Sequence, residues 1–143
     1  MTDSLDLSAL RHAITSLAEG LAVVEDAAWF GSQPKPVQNT LIAGVIQNFE
    51  FVYEVAVKMI KRRLELDAFT PAEVDASNFR EVLRTAGEKG LVADVEDWFG
   101  YRTMRGTTSH AYDRAKAQQV FDAIPAFLQD ARALLAALEA RNG

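Results

Sequence analysis

The run of eight residues from Arg105 to Tyr112 brings a permanent cation, an imidazole and a phenol close together in the sequence. The Arg105 guanidinium stays charged at any working pH and presents a planar fork of donors that matches phosphate oxygens. The His110 imidazole belongs to the side-chain type that accepts and returns a proton near neutrality. These groups are therefore suited to metal-free cleavage of a phosphodiester bond, with Arg105 binding the phosphate and His110 acting as general base or acid.

The backbone between these two residues must bend if they are to act together. On a continuous helix, two side chains five residues apart lie about 140° apart around the axis. Gly106, two β-branched threonines and Ser109 form a poor helix interior. We therefore expect the chain to fold over just past Met104, which would bring His110 toward Arg105 and place Tyr112 beside them. The spacing alone also fits a surface cation followed by a loop cap.

The elements around this run are predicted to be helices. Apolar residues recur at intervals of three and four, without convincing strict alternation, which indicates an all-α, antiparallel bundle of about five helices in one domain, 1–143. The predicted helices are a first one that ends before the Gly31–Pro36 break, then Val37–Leu66, Asn78–Glu88, Asp94 to Thr107 or Thr108, and a last one from about Asp113, kinked at Pro125. The segment from Asp67 to Asp75 is predicted to be a connection.

The predicted core is read from the helical faces. The first helix should bury one face, and the second should be apolar around most of its circumference. These positions are Leu7, Leu10, Ile14, Leu17, Leu21 and Val24 in the first helix, and Phe49, Val52, Tyr53, Ala56 and Ile60 on one side of the second, with Val45, Phe51, Val55 and Met59 on another.

A polar stripe of Glu50, Glu54 and Lys58 follows the second helix at four-residue steps. It has two interpretations. The stripe could line a pocket, or Glu54 could pair with Lys58 while Glu50 bonds to a loop or to a dimer partner. The second interpretation is favoured, so these residues are left out of the predicted catalytic set.

Composition limits the chemistry. The 143 residues include no cysteine and two histidines, which excludes thiol catalysis and disulfides and disfavours a histidine metal site, so no cofactor is expected. The net charge of −5 argues against broad affinity for nucleic acid. Cations nevertheless concentrate at Lys58–Arg63 and at Arg102–Lys116. The first of these clusters fits a solvated helix C-terminus, with RNA contact as the alternative.

The N-terminus and the helices carry no targeting or membrane signal that we can recognise. Acids occupy the first residues, where a secretory signal would have cations, and polar residues interrupt the apolar second helix before it reaches the roughly 20 residues that a bilayer requires. We therefore expect a cytoplasmic protein that does not insert into membranes.

Two separated blocks of the chain resemble those of a known family. The first is Ile46–Phe51, and the second is the pattern of Arg, four residues, His, one residue and Tyr, which fits Arg105, His110 and Tyr112. Their order and separation resemble those of the HEPN-type HepT toxins, also known as nucleotidyltransferase substrate-binding proteins. The resemblance extends from roughly Val37 onward. The departures are Gly106, where the family usually has a polar residue, often Asn, and Ile42, Ala43 and Asn48, where it usually has charged residues.

The resemblance implies a fold and a function. It implies a HEPN-like bundle with an up-and-down four-helix core, and a homodimer with a metal-independent ribonuclease site across its interface. Arg105 and His110 would be the catalytic residues, and RNA the substrate. Tyr112 would be the residue to which a cognate minimal nucleotidyltransferase antitoxin transfers AMP. A non-catalytic substrate-binding subunit of a nucleotidyltransferase is the alternative.

Overall fold

The computed structural model describes residues 4–68, 70–110 and 113–142, apart from the side chain of Asp75. Within these ranges the chain forms seven α-helices and a 3-10 turn, Thr108–His110, and no strand. The helices are α1 Ser8–Glu25, α2 Ala27–Gly31, α3 Lys35–Asp67, α4 Pro71–Ala76, α5 Phe79–Glu88, α6 Val95–Thr107 and α7 Arg114–Asn142. The prediction of an all-α bundle is confirmed, and the five predicted helices correspond to α1, α3, α5, α6 and α7.

Two short helices were not predicted. The Asp26 carboxylate accepts a hydrogen bond from the Trp29 amide and begins α2 directly after α1, so the first break lies at Asp26 rather than only at Gly31. Pro71 begins α4, which makes the predicted connection from Asp67 to Asp75 wrong in its second half. A proline in the first helical turn loses no hydrogen bond, which explains why Pro71 begins a helix here.

Side-chain caps fix the starts of the helices that lead to the predicted site. Asn78 and Glu81 form a capping box at the start of α5. The Asp94 carboxylate accepts from the Glu96 amide at 2.9 Å and begins α6. The Asp113 carboxylate accepts from the amides of Ala115 and Lys116, which is the role of an N-cap residue for α7.

Helix α1 lies antiparallel to both α3 and α7. The Asn48 amide of α3 donates to the carbonyl of Ser16 in α1, and Arg11 near the start of α1 pairs with Glu139 near the end of α7 at 3.0 Å. Helix α3 is long and apolar enough to cross a membrane by length and composition alone. Ten of its residues, however, are buried in the bundle, and the central helix of a bundle has the same composition.

The core follows the predicted faces closely. All six predicted positions of the first helix are buried, as are all five on the first side of the second helix. Phe127 lies at the centre of the aromatic packing, with ring centroids 4.7 Å from Phe49, 4.9 Å from Tyr101 and 5.9 Å from Trp98. Phe51 was predicted to pack on the second side, but it is 49% exposed because it lies on the outward face of α3.

The basic cluster Lys58–Arg63 divides between surface and core. Arg63 is 3% exposed, and its guanidinium bonds to Asp67 at 2.9 Å and to Asn142. Arg141 bonds the same carboxylate at 3.0 Å, so this network joins the C-terminal ends of α3 and α7. Arg63 therefore stabilises the fold, whereas Lys58 and Arg62 are exposed.

Candidate functional site

Arg105 lies in the last turn of α6 and faces α3. Its Nη2 contacts Glu54 Oε1 at 2.6 Å, and its Nε donates to the same oxygen at 3.2 Å. Its Nη1 contacts Glu50 Oε2 at 2.9 Å and donates to Thr108 Oγ1 at 3.1 Å. Among the described residues, the hydrogen bonds and ion pairs of Arg105 therefore go to two carboxylates and one hydroxyl.

Thr108 begins the 3-10 turn and is the buried part of this network, at 7% exposed. Its hydroxyl lies 3.0 Å from Glu50 Oε2 and 2.7 Å from the Arg105 carbonyl oxygen. A hydroxyl has a single proton, so it donates to one of these acceptors at a time and still accepts from Arg105. Thr108 thus links the end of α6 to the middle of α3, a role that the sequence analysis did not assign.

The predicted pairing of Glu54 with Lys58 is wrong. Glu54 turns to Arg105 of α6 instead, because the guanidinium fork offers two donors to one carboxylate, which an ammonium group cannot match geometrically. Glu50 bonds to the turn after α6, in agreement with the prediction that it would contact a loop. The four-residue spacing of Glu50 and Glu54 was the signal that both side chains reach one partner.

The backbone changes direction later than predicted. Helix α6 continues through Gly106 to Thr107 and then tightens into the 3-10 turn, so the chain does not fold over just past Met104. The Thr107 and Thr108 hydroxyls bond to the carbonyls of Met104 and Arg105, three residues earlier, and so help to satisfy the end of the helix. The prediction that α6 ends at Thr107 or Thr108 is confirmed.

His110 closes the 3-10 turn and is half-buried. Its carbonyl oxygen accepts from the Asp113 amide at 2.8 Å, which ties the turn to the start of α7. His110 follows Thr108 by two residues, so Arg105 and His110 flank one short turn. Tyr112, the predicted modification site, lies outside the described residues.

Further cations and a phenol lie close to Arg105. Burial raises the pKa of the Tyr53 hydroxyl, while the charges of Arg102 and Arg105 act in the opposite direction. Arg102 lies over the Phe79 ring at 4.3 Å, and it forms no ion pair within the described part of the chain. A guanidinium that stacks on an aromatic ring keeps its donors free for an anion.

The electrostatics of the site define what it can do. The hydrogen bond to Glu54 raises the pKa of the Arg105 guanidinium, with the charges of Glu50 and Glu54 acting in the same direction, so Arg105 is a fixed cation. The Glu54 side chain is 58% exposed, whereas the Glu50 side chain is 29% exposed. Within the described ranges, no group of three or more histidines and acids could hold a metal ion. The arrangement can thus bind an anion by exchanging the more exposed carboxylate.

Comparison with known proteins identifies the family. The model of the family described as nucleotidyltransferase substrate binding protein like matches residues 5–140. The chain belongs to this family. It is also 46% identical over 142 residues to a Haemophilus influenzae protein named "Probable ribonuclease HepT", and the match covers 99% of this chain and 97% of that protein.

A solved structure from Haemophilus influenzae has the same fold. It is described as revealing the fold of a substrate binding domain of a nucleotidyltransferase. The TM-score is 0.92 at 44% identity, and the alignment covers 94% of this chain and 99% of that chain. The predicted resemblance to the HepT-like, nucleotidyltransferase substrate-binding family is therefore confirmed.

Gly106, the clearest departure from the family pattern, is exposed. A Cβ placed on it meets no atom within 4 Å, so the space for a larger side chain is open. The glycine is therefore not required by close packing.

Replacing Thr108 with valine should destabilise the protein by about 1–3 kcal/mol, because it removes a buried hydroxyl that bonds to Glu50 and Arg105. The matched control is Ser109→Ala, since the exposed Ser109 hydroxyl makes only a 3.3 Å bond to the Gly106 carbonyl and should change stability by less than about 0.5 kcal/mol. Urea unfolding followed by circular dichroism measures both. Equal stability of the two variants would show that the network does not hold the turn.

Proposed function

We propose that this chain is a metal-independent endoribonuclease and the toxin of a pair formed with a minimal nucleotidyltransferase. The proposal combines the name of its 46% identical relative with the position of Arg105 and His110 at the two ends of one turn. We further propose that it acts as a homodimer, as the family resemblance implies, and that it is cytoplasmic.

In the proposed reaction, His110 accepts the proton of a ribose 2′-hydroxyl as its oxygen attacks the adjacent phosphorus. The P–O5′ bond breaks, the leaving 5′-oxygen takes up a proton, and the upstream fragment keeps a cyclic phosphate. Arg105 binds the non-bridging oxygens, on which negative charge develops in the transition state. Preorganised charge at such a position is among the largest contributions to enzymatic rate enhancement.

The observation that carries the proposal is the position of Arg105 and His110 at the two ends of one short turn, with Arg105 oriented by Glu50, Glu54 and Thr108. An RNA phosphate that approaches Arg105 must compete with a carboxylate. We assign that exchange to Glu54, because its side chain is the more exposed of the two and Glu50 is also bonded to Thr108. Glu50 would then keep the guanidinium oriented while Glu54 gives way to substrate.

A second candidate is a non-catalytic subunit that binds a substrate for a nucleotidyltransferase. Two observations favour it: Arg105 is neutralised by two carboxylates, and Gly106 stands where the family usually has a polar residue. In that case Arg105 would serve the fold and the partner surface. Both candidates predict association with a nucleotidyltransferase, so only an assay of RNA cleavage separates them.

The His110→Ala variant should lose at least about 10²-fold in single-turnover RNA cleavage, because no other group in the proposed site takes the 2′-hydroxyl proton. Its thermal unfolding midpoint should stay close to that of the wild type, since His110 is half-buried and is not one of the residues of the hydrophobic core. The control is His12→Ala, which replaces an exposed histidine of α1 and should leave cleavage unchanged. Cleavage by His110→Ala at the wild-type rate would reject the ribonuclease assignment.

Incubation with the cognate nucleotidyltransferase and ATP should add the mass of AMP to the wild-type chain and not to Tyr112→Phe. The added bulk and negative charge, two residues after His110 in the sequence, would repel an RNA phosphate, so the modified protein should no longer cleave RNA. Intact-mass spectrometry and the cleavage assay measure both effects. Modification of the Tyr112→Phe variant to the same extent would contradict the assignment, and Tyr53→Phe is the matched control.

A further inference from the structure

A cavity of about 510 Å³ lies where the first turns of α3 and α7 meet. This volume is within the range of small-molecule and cofactor sites. Its apolar part is formed by Phe30, Ile42 and Ile46, and its polar part includes Lys35, Arg114 and Asn39. The cavity therefore combines an apolar floor with a cationic edge.

The charge of the cavity is opposite to that of the protein. The chain carries a net charge of −5, yet no acidic residue lines this cavity. Among the residues that the structure describes, Lys35 Nζ bonds only to the Gln38 amide oxygen, at 3.5 Å, and Arg114 forms no ion pair. Two cations without carboxylate partners favour an anionic ligand.

Along α3, the cavity ends one helical turn before Glu50, a partner of Arg105. Gln38, Ile42 and Ile46 line the cavity, and the next two residues at four-residue steps are Glu50 and Glu54, which hold Arg105. Such residues form one ridge of a helix, with a rise of about 6 Å per step. The end of the cavity at Ile46 is therefore one helical turn, about 6 Å along α3, from Glu50, which contacts Arg105.

The turn and α7 make a second connection between them. Arg114 follows His110 by four residues, and the amide of Asp113 between them bonds to the His110 carbonyl. The cationic edge of the cavity therefore begins four residues along the chain from the proposed catalytic base.

We propose that this cavity is a subsite for the nucleotide of single-stranded RNA next to the scissile bond. Its phosphate binds between Lys35 and Arg114, and its base lies against Phe30, Ile42 and Ile46. Single-stranded RNA has a charged backbone, which suits the cationic edge, and unstacked bases, whose faces suit the apolar floor. The inference rests on the proposed ribonuclease activity and extends it by naming residues that bind substrate away from the reacting atoms.

The test compares two double variants with the same change in net charge. Lys35→Gln/Arg114→Gln removes both cations of the cavity. Arg84→Gln/Arg132→Gln removes two exposed cations of α5 and α7 that form no ion pair among the described residues. The probe is a mixed-sequence single-stranded RNA, used in cleavable form for kinetics and with 2′-deoxy sugars for binding.

The cavity variant should bind the 2′-deoxy probe at least about tenfold more weakly than the control, with most of the loss in cleavage in KM rather than kcat. The dependence of log affinity on log salt should become shallower by about 0.7, because the contact with one phosphate is lost. Thermal unfolding should be the same for both variants.

The outcomes separate this inference from the function on which it rests. If the wild type cleaves and binds RNA but the two double variants behave alike, the subsite is rejected and the nuclease stands. If the cavity variant keeps RNA affinity but loses affinity for the nucleotidyltransferase, the cavity is a protein contact and the inference fails. If the wild type neither binds nor cleaves RNA, the proposed function fails and the subsite fails with it.

Discussion

The ion-pair network around Arg105 is the constraint on which the rest of the site depends. Among the described residues, the Arg105 guanidinium bonds to Glu50, Glu54 and Thr108. It therefore joins the middle of α3 to the end of α6. Exposed ion pairs contribute little to stability, and here the buried hydroxyl of Thr108 makes the geometry specific. The turn that carries His110 is positioned as a consequence.

The same network limits the chemistry. A cation that is already paired with two carboxylates binds a phosphate only if the exchange costs little, and the exposure of Glu54 keeps that cost low. In the proposed reaction, substrate binding would therefore be coupled to the release of one carboxylate. The Arg105 guanidinium is oriented before a substrate arrives. The displacement of a carboxylate would lower the affinity for that substrate.

The fold could be predicted from the sequence because its core residues recur at helical intervals within single helices. The buried faces of α1 and α3 repeat at three and four residues, and capping residues such as Asn78 and Asp94 mark helix starts. The short helix α4 escaped prediction because its six residues are too few to show a period. Phe51 was placed in the core because an apolar residue on a mostly apolar helix gives no sign of which side faces outward.

The candidate site could be predicted only in part. The motif located Arg105 and His110, but the partners of Arg105 come from a helix about 50 residues earlier, and sequence spacing within one helix favoured Glu54 with Lys58 instead. A tertiary contact between two helices has no local signature. The cavity beside the site has none either, since Lys35 and Arg114 are 79 positions apart and meet only in the folded chain.

The most direct test of this account is the nuclear magnetic resonance signal of the Arg105 Nε–H group during titration with 2′-deoxy RNA. Arg105→Lys would assign the signal by its absence. The account predicts that the signal shifts as RNA binds, because the bond from Nε to Glu54 is exchanged for phosphate. A signal that stays unchanged while the RNA binds would mean that Arg105 remains on its two carboxylates, and that the phosphate is held elsewhere.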